Sequence, residues 1–238
     1  IKCNSKLIYD YYHIEDIGSY KCSNEKCSFC EPKSKYTITD YKDKTITINK
    51  KYQITLNNDM LYNFYNTLAA FSVLAEYKLD KDKICSFISD LNRDKKIFSN
   101  YKVSDREVFV LNNKCENATT YNQSMLYVYN DKREKVVVLG WEEISRRYIW
   151  DELSWLYDIE FELLKDQNIS SFIVCGPQRY DLAVRLKYAG IEENKIKIHK
   201  DLYEAKTDIK NSKGNIYGIL NFDYVNDFNR IMEDLRWK

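Results

Sequence analysis

Four of the seven cysteines fall within the first 30 residues: Cys3, Cys22, Cys27 and Cys30. Thiolates in two groups separated by about 15 to 20 residues are what a tetrahedral zinc ribbon requires. Two ligand sets fit the spacing. In one, the four visible thiols are the four ligands. In the other, a further cysteine directly before Ile1 pairs with Cys3, and Cys22 and Cys27 complete the site. His13 is a possible substitute ligand, although a histidine in a hairpin is more often simply exposed. Either set closes the coordination shell, so the metal's role is structural, replacing a core too small to fold alone. The competing reading is four ordinary free thiols. Cys85, Cys115 and Cys175 sit in apolar or ordinary surroundings and read as small buried hydrophobes.

The elements that position these cysteines are short. Residues 1–35 read as a metal-stabilised knuckle in which Leu7 to Tyr12 and Ile17 to Cys22 form two strands. Runs at Tyr36 to Thr39, Thr45 to Ile48 and Tyr52 to Leu56 alternate with polar turns, as in an antiparallel meander with one wet face. Asn58 or Asp59 is the expected cap of a helix reaching about Tyr77, with Leu61, Phe64, Leu68, Phe71 and Leu74 on one stripe. Asp80 opens a second helix through Ile84, Phe87, Ile88 and Leu91. Residues 92 to 106 are polar and are expected to be irregular.

From about residue 107 strands and helices alternate. Strands are predicted at Glu107 to Leu111, Lys135 to Gly140, Ser171 to Gly176, Lys195 to Ile198 and Asn215 to Leu220. Helices are predicted at Thr120 to Tyr129, Gln178 to Ala189, Leu202 to Ile209 and Tyr224 to Leu235. Continuous runs such as Val136-Val137-Val138 and Phe172-Ile173-Val174 suit a sheet covered on both faces, and the repeated order implies parallel strands in a Rossmann-like domain. The fold class expected is therefore α/β, with the divisions 1–35 for the knuckle, 36–102 for the meander and two helices, and 103–238 for the Rossmann-like domain.

Charge sets further bounds. Lys and Arg number 37 against 36 Asp and Glu, a net charge of +1, which argues against nucleic acid or a membrane surface as the general partner. No apolar run approaches the roughly 20 residues that a membrane helix needs. The clustered cysteines suit a metal site on a cytoplasmic protein better than a disulfide framework.

Three stretches carry a family resemblance. The cysteine knuckle with Tyr36 to Thr39 is similar to the ribbon that MurT-type Mur ligases insert in their central domain. Tyr62 to Ala70 resembles the Asn-x-x-Asn-x-x-Ala-Ala segment that begins a helix after the Mur ligase central sheet. The most specific stretch joins Ser154 to Asp158, Phe161-Glu162, Val174 to Gly176 and Tyr180 to Ile191, which together resemble the MurT C-terminal domain. Asn117-Ala118 and Tyr121 to Gln123 fit a further motif of that domain in part. The resemblance implies the C-terminal portion of a ligase subunit, with a zinc ribbon and the end of a Mur-ligase central domain before its Rossmann-like domain.

It also implies a reaction. A GatD-type glutaminase would release ammonia from glutamine, and the ligase would use ATP and Mg to activate the D-glutamate of lipid II, giving D-isoglutamine. That work belongs to cytoplasm at the inner face of the cell membrane. Carried over residue by residue, Asn63 and Asn66 become candidates for the adenine site, and Asp158, Glu152 or Asp151 for the acid that completes the partner's Cys-His pair. Each of these has a plainer reading, as a helix-surface or capping residue for the asparagines and a helix-start acid for the carboxylates. The chain departs from the family pattern at Phe98 to Lys102, where a family arginine is absent, at Ala118-Thr119-Thr120, and at Ser145 to Tyr148. Those departures support a second reading, a diverged non-catalytic scaffold that keeps the glutaminase-docking domain. A third, an unrelated zinc-ribbon binding module fused to a Rossmann-like domain, is disfavoured by the Trp155 to Ile191 run. No Walker-type phosphate loop occurs in the chain, so these residues alone are not expected to hydrolyse ATP.

Overall fold

The structure is a computed structural model that describes residues 3–14, 17–91, 98–113, 118–140, 153–165 and 167–236. The chain forms two compact units, Ile1–Arg93 and Asp94–Lys238.

The first unit opens with an antiparallel hairpin of β1 (Leu7–Ile14) and β2 (Ile17–Cys22). Gly18 is required there, because a Cβ at this position would collide with the Tyr11 carbonyl across the strand pair. After β2 the chain folds back on itself: the Cys22 amide donates to Phe29 O at 2.8 Å and Lys21 bridges Cys30. The rings of Tyr9, Tyr20 and Phe29 touch in sequence, yet none of the described residues from 3 to 34 is buried. So little apolar burial cannot hold a hairpin of this size in water.

A three-stranded antiparallel sheet follows, with β3 (Ile38–Lys42), β4 (Thr45–Ile48) and β5 (Tyr52–Thr55) in the order β3-β4-β5. The left-handed pairs Asp43-Lys44 and Asn49-Lys50 supply the positive φ angles of tight hairpin turns. Ile46, Ile48 and Ile54 point inward against α1 (Leu61–Glu76) and α2 (Lys81–Asp90). Asp80 caps α2 by accepting from the Lys83 amide. The cap of α1 differs from expectation. It is Met60, without a side-chain bond, while Asn58 closes a turn by accepting from the Met60 amide. The buried face of α1 also differs, comprising Asn63, Thr67, Phe71 and Ala75, so the expected stripe is rotated and Leu61, Phe64 and Leu68 are half-buried.

The second unit contains β6 (Phe98–Val103), β7 (Arg106–Asn113), α3 (Ala118–Asn130), β8 (Lys135–Gly140), β9 (Ile169–Cys175), α4 (Arg179–Tyr188), β10 (Ile196–His199), α5 (Leu202–Asn211), β11 (Asn215–Asn221) and α6 (Phe222–Arg236). Its six-stranded sheet runs β10-β9-β8-β11-β7-β6. Every neighbouring pair is parallel except β6 with β7. The fold is thus α/β with a mixed, mostly parallel sheet. Strand β6 corrects the expectation that residues 98–103 are irregular. Alternation along the central strands divides two cores: Val137, Leu139, Phe172 and Val174 face α3 and α4, while Val136, Val138 and Ile173 face α5 and α6. Among the described residues no helix is long and apolar enough to cross a membrane.

Candidate functional site

Two constellations stand out, one in each unit. In the first, the sulfurs of Cys3, Cys22 and Cys27 lie within 4.8 Å of one another. The separation of Cys3 Sγ from Cys22 Sγ is 3.4 Å. A tetrahedral zinc–thiolate site has sulfur–sulfur edges of about 3.8 Å, given bonds of about 2.3 Å, so the three thiols are spaced as three of its corners. These are the three shared by both expected ligand sets. Cys30 is exposed and lies outside the cluster, and His13 is bonded elsewhere, its Nδ1 2.6 Å from Tyr65 Oη. Hydrogen bonds from Ser5, and then from Cys22 and Cys27, bring the Cys3 thiol down to about 6, which favours the thiolate that binds metal. At Cys22 the Asn24 amide pulls downward, but desolvation and the two neighbouring thiols raise it on balance. The donor set fits a metal ion that favours thiolates, which Cys3, Cys22 and Cys27 would hold.

In the second unit, two short 3-10 turns, Ser154–Asp158 and Phe161–Leu164, are fastened to α3 and α4. Leu156, Ile159 and Phe161 are buried anchors. Arg185 of α4 is the clamp: its side chain is 5% exposed. It donates from Nε to Leu156 O at 3.0 Å and from Nη2 to Ile159 O at 2.6 Å. The same guanidinium meets both Glu162 carboxylate oxygens at 2.8 Å. This planar fork satisfies two backbone carbonyls and a carboxylate together, which a lysine cannot do. The guanidinium in turn holds Glu162 below the ordinary carboxylate range. From α3, Asn122 Nδ2 donates to Asp158 O at 2.9 Å, and its Oδ1 accepts from the Glu160 amide at 2.7 Å.

The outcome is a hydrogen-bonded backbone with an exposed tip. Between buried Leu156 and Ile159, the side chains of Tyr157 and Asp158 face solvent. Tyr157 lies 6.4 Å from Tyr188, and α4 adds exposed Tyr180 and Val184. Asp151 and Glu152 lie outside the described residues. Arg185 and Asn122 are positioning residues whose roles sequence reasoning missed. The available signal was an arginine set between Leu182 and Leu186 on an apolar helical stripe.

The asparagine pair separates. Asn63 is buried and its Nδ2 donates to Asn57 Oδ1 and Asn58 O, fixing the chain's entry into α1. Asn66, one turn along, is exposed. The structure therefore gives Asn63 a structural task and leaves Asn66 open to solvent.

Solved structures show the fold. The chain resembles a pseudomurein peptide ligase type C from Methanothermus fervidus, with a TM-score of 0.67 at 17% identity, over 98% of this chain and 48% of that one. It also resembles MurF ligase from Thermotoga maritima in complex with ADP, with a TM-score of 0.55 at 13% identity, over 84% and 47%. The fold is that of the Mur ligases.

Sequence then narrows the class. Residues 115–224 match the family described as MurT ligase C-terminal. Lipid II isoglutaminyl synthase (glutamine-hydrolyzing) subunit MurT of Staphylococcus aureus (strain COL) is 30% identical over 92% of this chain and 49% of its own length. The subunit of the same name from Streptococcus pneumoniae (strain ATCC BAA-255 / R6) is 22% identical over 88% and 46%. The chain belongs to the MurT-type Mur ligases, as a diverged form of their C-terminal portion. It spans about half the length of the curated relatives it matches.

Proposed function

We propose that this chain is the C-terminal part of an ATP-dependent amide ligase subunit that works with a GatD-type glutaminase to amidate lipid II. The observation that carries the proposal is the clamped 154–162 segment, which holds its backbone through Arg185 and Asn122 while exposing Asp158. A carboxylate so presented can accept the imidazole N–H of a partner's Cys-His pair, fixing the tautomer and stabilising the imidazolium. Asp158 is the first candidate for that role; Glu152 and Asp151 precede it in the same segment of sequence.

The ligase step follows from carboxylate chemistry. ATP transfers its γ-phosphoryl group to the D-glutamate α-carboxylate, leaving ADP and an acyl phosphate. Ammonia attacks the acyl carbon, phosphate departs, and D-isoglutamine remains in the stem peptide. Mg²⁺ would neutralise charge on the transferring phosphoryl group. Asn66, exposed on α1, is proposed to lie near the adenine, with Asn63 fixing the turn beside it. The zinc ribbon would be structural, and the complex would act in the cytoplasm at the inner membrane face.

The test is reconstitution of the full-length protein with a GatD-type glutaminase. The expected result is co-purification and ATP- and glutamine-dependent conversion of lipid II to its amidated form. Copurification without amidation would instead support the second reading, a docking scaffold that has lost ligase chemistry. That reading is favoured by one observation: the Phe98–Val103 stretch forms an edge strand without the arginine that the family carries there.

A further inference from the structure

A cavity of about 440 Å³ opens in the first unit, lined by none of the three clustered cysteines. One wall is continuous chain, residues 36–41, which includes most of β3. Strand β3 lies at the edge of its sheet and pairs only with β4, so its other side carries no strand among the described residues. Opposite stand Tyr11 and His13 of the hairpin, with the His13 ring 4.8 Å from Tyr11 and bonded to Tyr65 Oη. The floor is the half-buried face of α1, Leu61, Phe64 and Leu68. This explains why the apolar stripe read from the sequence is not the one buried in the core.

The chemistry of the lining has one sign. Glu31 and Asp40 are exposed carboxylates, and among the described residues no lysine or arginine lines the cavity. Burial, then the proximity of Tyr11 and Glu31, raises the Tyr65 hydroxyl, so the field of Glu31 reaches the bonded pair. The nearby Lys35 is engaged with Glu76 at 2.7 Å. Tyr11 and Tyr41 are 50% and 41% exposed; Tyr11 is tilted against His13 and Tyr41 edge-on to Phe64, and both line the cavity with the two carboxylates. Aromatic faces beside acids select an ammonium or guanidinium group on an apolar stem. A free strand edge selects an extended backbone.

We propose that the groove between β3, the β1–β2 hairpin and α1 binds an extended basic peptide segment, which adds as a strand to the free edge of β3 and seats lysine or arginine side chains between the tyrosines and Glu31 and Asp40. The volume is within the roughly 300–1,000 Å³ of ligand sites, and six residues of wall match a segment of similar length. The groove's occupancy is independent of the ligase reading and requires neither ATP nor a glutaminase.

The test is fluorescence anisotropy of full-length protein with fluorescein-labelled (Lys-Val)3-amide. The expected result is saturable binding, weakened about tenfold or more by Glu31→Gln with Asp40→Asn, both exposed and tolerant of change. Replacing the peptide's lysines by norleucine should weaken binding similarly, and N-methylating its alternate amides should abolish it. Absence of saturable binding, or equal binding of the norleucine or N-methylated peptide, would overturn the proposal. So would groove occupancy by a chito-oligosaccharide that the lysine peptide cannot displace.

Discussion

The cysteine hairpin and the mostly parallel sheet solve the same problem in opposite ways. The sheet is sealed by two apolar layers, with Val136 to Leu139 and Phe172 to Val174 almost fully buried. The hairpin has no buried residue among those described from 3 to 34, and its organising contact is a triangle of sulfurs. One element derives stability from area removed from water, while the other would gain it from a cross-link that a metal bound by the three thiols could supply. Conditions that attack metal ligands should therefore leave the sheet intact, and changes in the sheet's polar fittings should leave the hairpin intact.

The largest contrast is expected from metal removal. Full-length reduced protein should carry at least one zinc per chain, and chelation should remove on the order of 10 kcal/mol of binding free energy from the ribbon. Hydrogen exchange would then show amides of β1 and β2 losing protection while those of β8 and β9 keep theirs. Equal loss in both would break the comparison. Next comes Arg185→Ala, which unpairs the Leu156 and Ile159 carbonyls and should cost the second unit about 3 kcal/mol, read by denaturant unfolding. Arg185→Lys should recover little, since a point charge cannot replace the fork.

A pH effect is expected to be smaller. Burial pushes Asp131 up, but its bonds with Arg133 and Tyr217 outweigh this and hold it at about 2, against an ordinary 3.8. Its contribution is present above the ordinary value and lost as pH falls through about 2. On the order of 2 kcal/mol should disappear across that window, and Asp131→Asn should flatten the acid limb of the second unit's unfolding curve. Smallest is Asp80→Ala, which removes the α2 cap and should lower the first unit's stability by about 1 kcal/mol, measured by thermal melting.

What could be read from sequence follows the same division. Continuous valine and isoleucine announced the buried central strands, because only a sheet covered on both faces tolerates them. Paired cysteines announced the hairpin cluster but left open whether Cys30 belongs to it, since one of the two ligand sets included it and the other did not. Strand β6 was hidden, since Ser99, Asn100 and Lys102 suit an edge strand and break the apolar pattern. The rotated face of α1 was hidden for a related reason: Asn63 is buried because Asn57 and Asn58 satisfy its amide, which composition alone does not reveal. The Arg185 clamp was hidden because a bonding geometry spanning 23 to 29 residues leaves no local trace.

The central claim is that the second unit presents Asp158 to a glutaminase's Cys-His pair. It is tested most directly by glutamine hydrolysis in the full-length complex carrying Asp158→Asn. The account expects hydrolysis to fall by at least about 100-fold while the two subunits still co-purify. Hydrolysis at the unsubstituted rate from an intact complex would contradict it.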